Sequence, residues 1–282
     1  MLAPLMLLLG ACSPTAVLNA LAPRDGVVLT RDIAYGDGPR HQLDVFSPRA
    51  SVTPVPAPVV VFFYGGGWEA GSKDMYRFVG AVLAARGVMT VIPDYRLYPE
   101  VRFPSFMADA AAAVAWTRAN AARFGGDPRR LFLMGHSAGG QIAALLALDG
   151  GYLRAAGMSP RDVCGVIGLA GPYDFLPLHS DTLRAIFGPE AERWRSQPIN
   201  FVTEQAPPML LLAGHDDDTV DPGNTLRLAA RLRAAGDSVE DTLYPGVGHK
   251  ALVAAFSAPL TFIAPVREAA LRFVAAHGAC GP

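Results

Sequence analysis

The sequence predicts an α/β fold: a mostly parallel sheet covered by helices on both faces. Three observations carry this reading. From Val59 onward, continuous apolar strands alternate with helical segments, the pattern of strands buried on two faces. The stretches Tyr64-Gly-Gly-Gly-Trp68 and Gly135-His-Ser-Ala-Gly-Gly140 each follow such a strand, at the carboxyl end where open α/β sheets gather ligands. With 51% hydrophobic and 17% charged residues among 282, the chain can bury a substantial core.

The elements follow in order. Residues 31–35 and 41–46 predict a hairpin around Gly36-Asp-Gly-Pro39, an antiparallel edge to the sheet. A Pro-rich spacer, Pro54-Val-Pro-Ala-Pro58, precedes an apolar strand at 59–64. A helix at 76–86, a strand at 88–93 and a long Ala-rich helix at 106–123 come next. Residues 131–134 form the strand that enters the Gly135 turn, and 141–148 form the helix that leaves it. Strands at 163–169, 209–212 and 239–243, with a helix at 224–235 and a closing helix at 265–276, complete the series.

The N-terminus, through Cys12, is an apolar run too short to span a bilayer and long enough for a signal-peptide core. Leu9-Gly-Ala-Cys12 resembles a bacterial lipoprotein cleavage box, although no basic residue precedes it. Residues 1–12 are therefore expected to be an export segment with a lipid anchor at Cys12, and 13–282 one domain. The alternative is an apolar helix packed on the body of a cytoplasmic protein. Three cysteines are too few for a disulfide framework. Cys164 and Cys280 fall at the same end of the sheet, where they either pair in an exported protein or remain separate thiols. A net charge of −1, with arginines spread through helices, gives nucleic acid no electrostatic reason to bind.

Chemistry concentrates on Ser137. A serine between two glycines, at the turn from an apolar strand into a helix, fits a strained elbow that exposes its hydroxyl. The helix start directs the N–H of Ala138 at any oxyanion formed there. Gly66 and Gly67 are expected to supply the other two donors, since consecutive glycines let backbone N–H groups approach a substrate. A phosphate loop would need a Lys-Ser or Lys-Thr pair, which is absent here. A serine hydroxyl also needs an imidazole to take its proton and a carboxylate to orient that imidazole. In such sheets the chain order is Ser, acid, His. His41 and His136 precede the acid position, His179 and His215 precede the best acids, and His277 trails the last helix. That leaves His249, in a Gly-rich loop after a strand. The acid lies among Asp216, Asp217 and Asp218, which spacing alone does not separate.

Together Tyr64-Gly-Gly-Gly-Trp68, Gly135-His-Ser-Ala-Gly-Gly140, Gly214-x-x-Asp217-x-x-Val220 and Gly248-His249 resemble the α/β-hydrolase superfamily. The likeness runs from about Ile33 to the final helix. Within it, the chain is most similar to bacterial carboxylesterases near the hormone-sensitive-lipase-like, feruloyl-esterase-like and kynurenine-formamidase-like hydrolases. The resemblance implies an eight-stranded sheet and a Gly-x-x-Asp-x-x-Val pattern that selects Asp217, with Asp218 in reserve. It also implies a small helical lid at about 174–200. Two departures pull away from the hormone-sensitive-lipase relatives: Tyr64 stands where His is usual, and His136 where Asp is usual. Asp94-Tyr95-Arg96 is expected to brace the oxyanion loop and Gly171-Pro-Tyr-Asp174 to anchor the insertion.

Trp68, Phe175, Leu178 and Phe187 are the expected walls of the substrate pocket. The implied reaction is hydrolysis of short- to medium-chain carboxylic esters through an acyl-enzyme, without metal or organic cofactor. An arylformamidase or other amidase, or a feruloyl-type esterase, could use the same residues. A noncatalytic binding protein would normally have lost one of them. Dehalogenases and epoxide hydrolases place a carboxylate at the elbow, and a prolyl peptidase would need a propeller for which the chain has no room.

Overall fold

The computed structural model describes residues 14–49 and 56–280. The expected export segment, Cys12 and the first residues of the Pro-rich spacer lie outside them. Eight strands form one sheet: β1 (Val27–Ala34), β2 (Gln42–Pro48), β3 (Ala57–Phe63), β4 (Met89–Pro93), β5 (Gly126–His136), β6 (Gly165–Leu169), β7 (Met209–Gly214) and β8 (Val239–Tyr244). Their order is β1-β2-β4-β3-β5-β6-β7-β8. The hairpin strands β1 and β2 pair antiparallel with each other, and β2 with β4; every later pairing is parallel. This is the α/β-hydrolase architecture.

Burial explains the sequence pattern. β4, β6 and β7 are buried at every position, whereas the edge strands β1 and β8 alternate between exposed and half-buried residues. A strand covered on both faces has no polar side to show, so its composition is apolar throughout. The helices are α1 (Pro14–Ala20), α2 (Arg77–Ala84), α3 (Ser105–Asn120), α4 (Ala138–Leu148), α5 (Gly151–Ala155), α6 (Asp181–Phe187), α7 (Gly223–Ala234), α8 (His249–Ala254) and α9 (Val266–Ala276). α2 packs on β2 and β4, α3 on β5, α4 on β3, β5 and β6, and α9 on β7. α4 is buried at ten positions from Ala138 to Ala147, which accounts for its lack of a polar stripe.

The order places the site. From β3 the chain steps outward to β4, then returns past β3 to β5 on its other side. Strand order therefore reverses between β3 and β5, and the crevice beyond their carboxyl ends is the position where such sheets bind ligands. Tyr64 follows β3 there, and Ser137 follows β5. At the opposite end, Cys164, just before β6, is joined to Cys280, just after α9, by a disulfide. The segment after β6 carries α6 and short 3₁₀ turns at Glu190–Ser196 and Pro198–Phe201, the expected insertion.

Two local readings are corrected. His249 is not in a loop but is the first residue of α8, a short helix preceded by Gly248 in extended conformation. β5 also begins at Gly126, well before the apolar run at 131–134, because Ala57 pairs with Gly126 across an irregularity in the ladder.

Candidate active site

Ser137 sits in the elbow between β5 and α4 with φ 56° and ψ −124°, a conformation that L-residues reach only when their surroundings force it. The flanking glycines show the force. A Cβ on Gly135 would overlap the backbone of Gly139, and one on Gly139 would overlap the carbonyl of Phe63 at the end of β3. Ser137 itself is held by its N–H, which donates to Leu169 O at 2.9 Å, while Ser137 O accepts from Gly140 at 2.8 Å. The side chain remains partly open, on a cleft of about 620 Å³.

Asp217 and His249 are joined. His249 Nδ1 lies 2.7 Å from Asp217 Oδ2, and the other carboxylate oxygen accepts from the N–H groups of Thr219 and Val220, both at 2.9 Å. The Asp217 side chain is fully buried and that of His249 nearly so. A carboxylate satisfied in this way fixes the imidazole with its proton on Nδ1 and Nε2 free. The neighbouring aspartates are elsewhere: exposed Asp216 faces His215 Nδ1 at 2.9 Å, and Asp218 accepts from Thr219 Oγ1 at 3.2 Å. Ser137 Oγ and His249 Nε2 make no hydrogen bond to one another or to other described residues. Catalytic hydrogen bonds of this kind often tighten only in the complex with substrate.

The glycine loop after β3 is shaped by necessity at Gly66, whose φ is 138° and whose Cβ would run into the carbonyl of Ala70. Gly67 has φ 62°. Among the described residues, the N–H groups of Gly66, Gly67 and Ala138 donate to no protein acceptor. Beneath the loop, Tyr64 and Tyr95 stack with centroids 4.7 Å apart, and Tyr95 Oη donates to Tyr64 O at 2.8 Å. Tyr64 Oη donates to Asp94 Oδ1 at 2.9 Å and accepts from Arg40 at 2.7 Å; Arg40 also reaches Gly71 O at 2.9 Å. Burial pushes the Tyr64 phenol above its ordinary range and raises the Asp94 carboxyl as well. Asp94 and Tyr95 thus hold the loop. Arg96 does not: its guanidinium is taken by buried Asp109 on α3.

The cleft is lined by Gly67, Trp68, Phe175, Leu178 and Leu183, together with Ser137, Asp174 and Arg227. Phe187 does not line it. That ring is buried behind Trp68, edge-on at 4.8 Å, because α6 turns its apolar face inward against Phe103 and Phe106. Trp68 is locked by its Nε1–H, which donates to Gln141 Oε1 at 3.1 Å; Gln141 in turn donates to Ser196 O at 2.8 Å. Sequence reasoning missed Gln141, although it is the lone polar side chain in an otherwise apolar helix. It also missed Asn224 and Arg227 of α7. Asn224 Oδ1 accepts from Tyr173 N and Asp174 N at 2.8 and 2.7 Å, and Arg227 binds the Asp174 carboxylate at 2.6 Å. The Gly171–Asp174 corner is therefore anchored from α7. Among the described residues, no group of three or more His, Cys, Asp or Glu is arranged to hold a metal ion.

Comparison with known proteins places this geometry. A family model described as BD-FAE matches residues 43–232. Esterase LipC of Mycobacterium tuberculosis is 35% identical over 239 residues, 78% of this chain and 59% of its own length. Isoprenylcysteine alpha-carbonyl methylesterase ICME of Arabidopsis thaliana is 32% identical over 241 residues, 78% of this chain and 56% of its own. The chain thus spans little more than half the length of these curated relatives. Among solved structures, esterase B of Lactobacillus rhamnosis superposes with a TM-score of 0.79 at 20% identity, covering 93% of this chain and 90% of that one. A thermophilic esterase of Thermogutta terrifontis, with propionate bound, gives 0.72 at 26% identity, covering 92% and 98%. The likeness to esterase B speaks to the fold alone. With the family match spanning more than half of the chain, this protein belongs to the BD-FAE family of α/β-hydrolases.

Proposed function

We propose that the protein is a serine carboxylesterase acting on short- to medium-chain carboxylic esters. The observation that carries this reading is the bond between buried Asp217 and His249, whose ring lies 4.7 Å from that of His136, the residue before a strained Ser137 on an open cleft. In the proposed reaction, Ser137 Oγ attacks the ester carbonyl as His249 Nε2 takes its proton. Asp217 stabilises the resulting imidazolium. The oxyanion is received by the N–H groups of Gly66, Gly67 and Ala138. His249 then protonates the departing alcohol, and water, activated by the same imidazole, releases the acid and restores Ser137. Trp68, Phe175 and Leu178 wall the cleft on the side available to apolar parts of the substrate. The esterase names carried by LipC and ICME support the same reading.

A panel of p-nitrophenyl esters from acetate to palmitate, run beside a feruloyl ester and N-formylkynurenine, tests the proposal. Preferred turnover of the shorter p-nitrophenyl esters is expected; hydrolysis of N-formylkynurenine alone would make the protein a formamidase.

We also propose export, with a lipid anchor on Cys12. The Cys164–Cys280 disulfide supports it, since such bonds persist in oxidising compartments. Mass spectrometry of protein from the native host should find a lipidated N-terminal Cys12; a chain that still begins at Met1 and carries no lipid would overturn it.

A further inference from the structure

His136, the residue before Ser137, has no part in the reaction just described, yet three catalytic segments meet on it. It is almost entirely buried. Its Nε2 lies 3.2 Å from the backbone carbonyl of His249, and its ring centroid is 4.7 Å from that of His249. On the other side, Nδ1 lies 3.4 Å from Tyr76 Oη. The oxyanion loop closes the third side: a Cβ on Gly65 would stand 3.1 Å from His136 Nδ1 and 2.9 Å from the Ser137 Cβ. A carbonyl oxygen can only accept, so His136 carries its proton on Nε2 and donates it to His249 O. Nδ1 is then left to accept from Tyr76.

Burial, with the His249 ring second, pushes the His136 imidazole down to about 3. Burial likewise holds the Tyr76 hydroxyl protonated, pushed up to about 12. The pair is therefore neutral throughout the range in which an esterase works. This matters because His249 becomes a cation during the proposed reaction, and a charged ring at this contact would oppose it.

We infer that His136 is a positioning residue: by donating to the backbone carbonyl of His249 while packed against Gly65 and covalently joined to Ser137, it sets the base in register with the nucleophile and the oxyanion loop. The inference rests on the esterase reading. Loss of the His136 donor should let α8 shift at its first residue, which lengthens the approach of Nε2 to Ser137 without altering the cleft that binds substrate. The expected signature is a fall in kcat with KM kept.

His136→Leu removes the ring's polarity altogether. His136→Asn keeps a polar group near Tyr76 but is too short to reach His249 O, whereas the longer amide of His136→Gln can place an N–H where Nε2 stood. With p-nitrophenyl butyrate, kcat of the Leu and Asn variants should fall about tenfold to a hundredfold, the scale of a small misplacement of a catalytic group. KM should stay within about twofold, and the Gln variant should recover most of the rate. Should the Leu variant not fold, the Asn and Gln pair decides alone. Wild-type kcat in the Asn variant, a Gln variant as slow as Asn, or a loss carried by KM would overturn the inference. The esterase reading is judged separately, by wild-type turnover and its loss in Ser137→Ala.

Discussion

Among the three consecutive aspartates, only Asp217 has both carboxylate oxygens committed, one to His249 and the other to two backbone amides. The Gly-x-x-Asp-x-x-Val pattern of the resembling hydrolases selected it, but nothing in the local composition separates it from Asp218, because exposure is decided by how the turn after β7 folds. Asp217→Asn should lower kcat by about a thousandfold or more through loss of imidazole orientation, while exposed Asp218→Asn should stay within about twofold. Equal losses in the two variants would contradict the assignment. His136 offers a test of stability at the same scale. Its folded value, about 3, lies below the ordinary 6.5. As pH falls through that ordinary value, the unfolded chain binds a proton that the folded chain refuses, so the wild type loses stability. His136→Gln has no such loss, so the melting temperature of the wild type should fall relative to that of the variant from about pH 7 to about pH 4. A wild type that gains on the variant over that range would show that His136 is not the buried neutral group described.

At the level of elements, the inner parallel strands were legible because burial on both faces makes their composition apolar. The opening hairpin, whose β2 lies inside the sheet yet carries Gln42, Asp44 and Ser47, was legible instead from its Gly36-Asp-Gly-Pro39 turn. The elbow was legible for a different reason, since Gly135 and Gly139 are imposed by backbone contact rather than by propensity. What escaped was short structure stabilised from a distance. α8 is a six-residue helix whose sequence carries no start signal beyond Gly248, and α6 buries Phe187 behind Trp68 rather than in the cleft, a choice made by Phe103 and Phe106 from another part of the chain. The oxyanion loop depends on similar distant support. Tyr64→Phe leaves Asp94 and Arg40 without the hydroxyl that links them. It should cost about 1–3 kcal/mol, the scale of hydrogen bonds to charged groups, since Arg40 keeps Gly71 O and Asp94 keeps the Lys73 N–H. The loss is readable as a lower denaturation midpoint with a reduced kcat. A variant of unchanged stability and rate would mean that the loop is held by Tyr95 and the glycines alone.

For the molecule as a whole, the reversal of strand order at β3 and β5 creates the crevice, and the disulfide closes the opposite end over a separation of 116 residues. The sequence left the pairing of Cys164 and Cys280 open because it depends on where α9 finishes. Replacing both with Ala should reduce stability by about 2–5 kcal/mol and leave kcat nearly unchanged, since the bond is remote from the cleft; an unchanged melting temperature would contradict a structural role. The central claim, that Ser137 carries the acyl group, is most directly tested by intact-mass measurement of enzyme quenched during turnover of a p-nitrophenyl ester. The wild type should gain the mass of one acyl group, mapped to Ser137, and Ser137→Ala should neither gain it nor turn over the ester. Near wild-type hydrolysis by Ser137→Ala, or an acyl group found on another residue, would contradict the account.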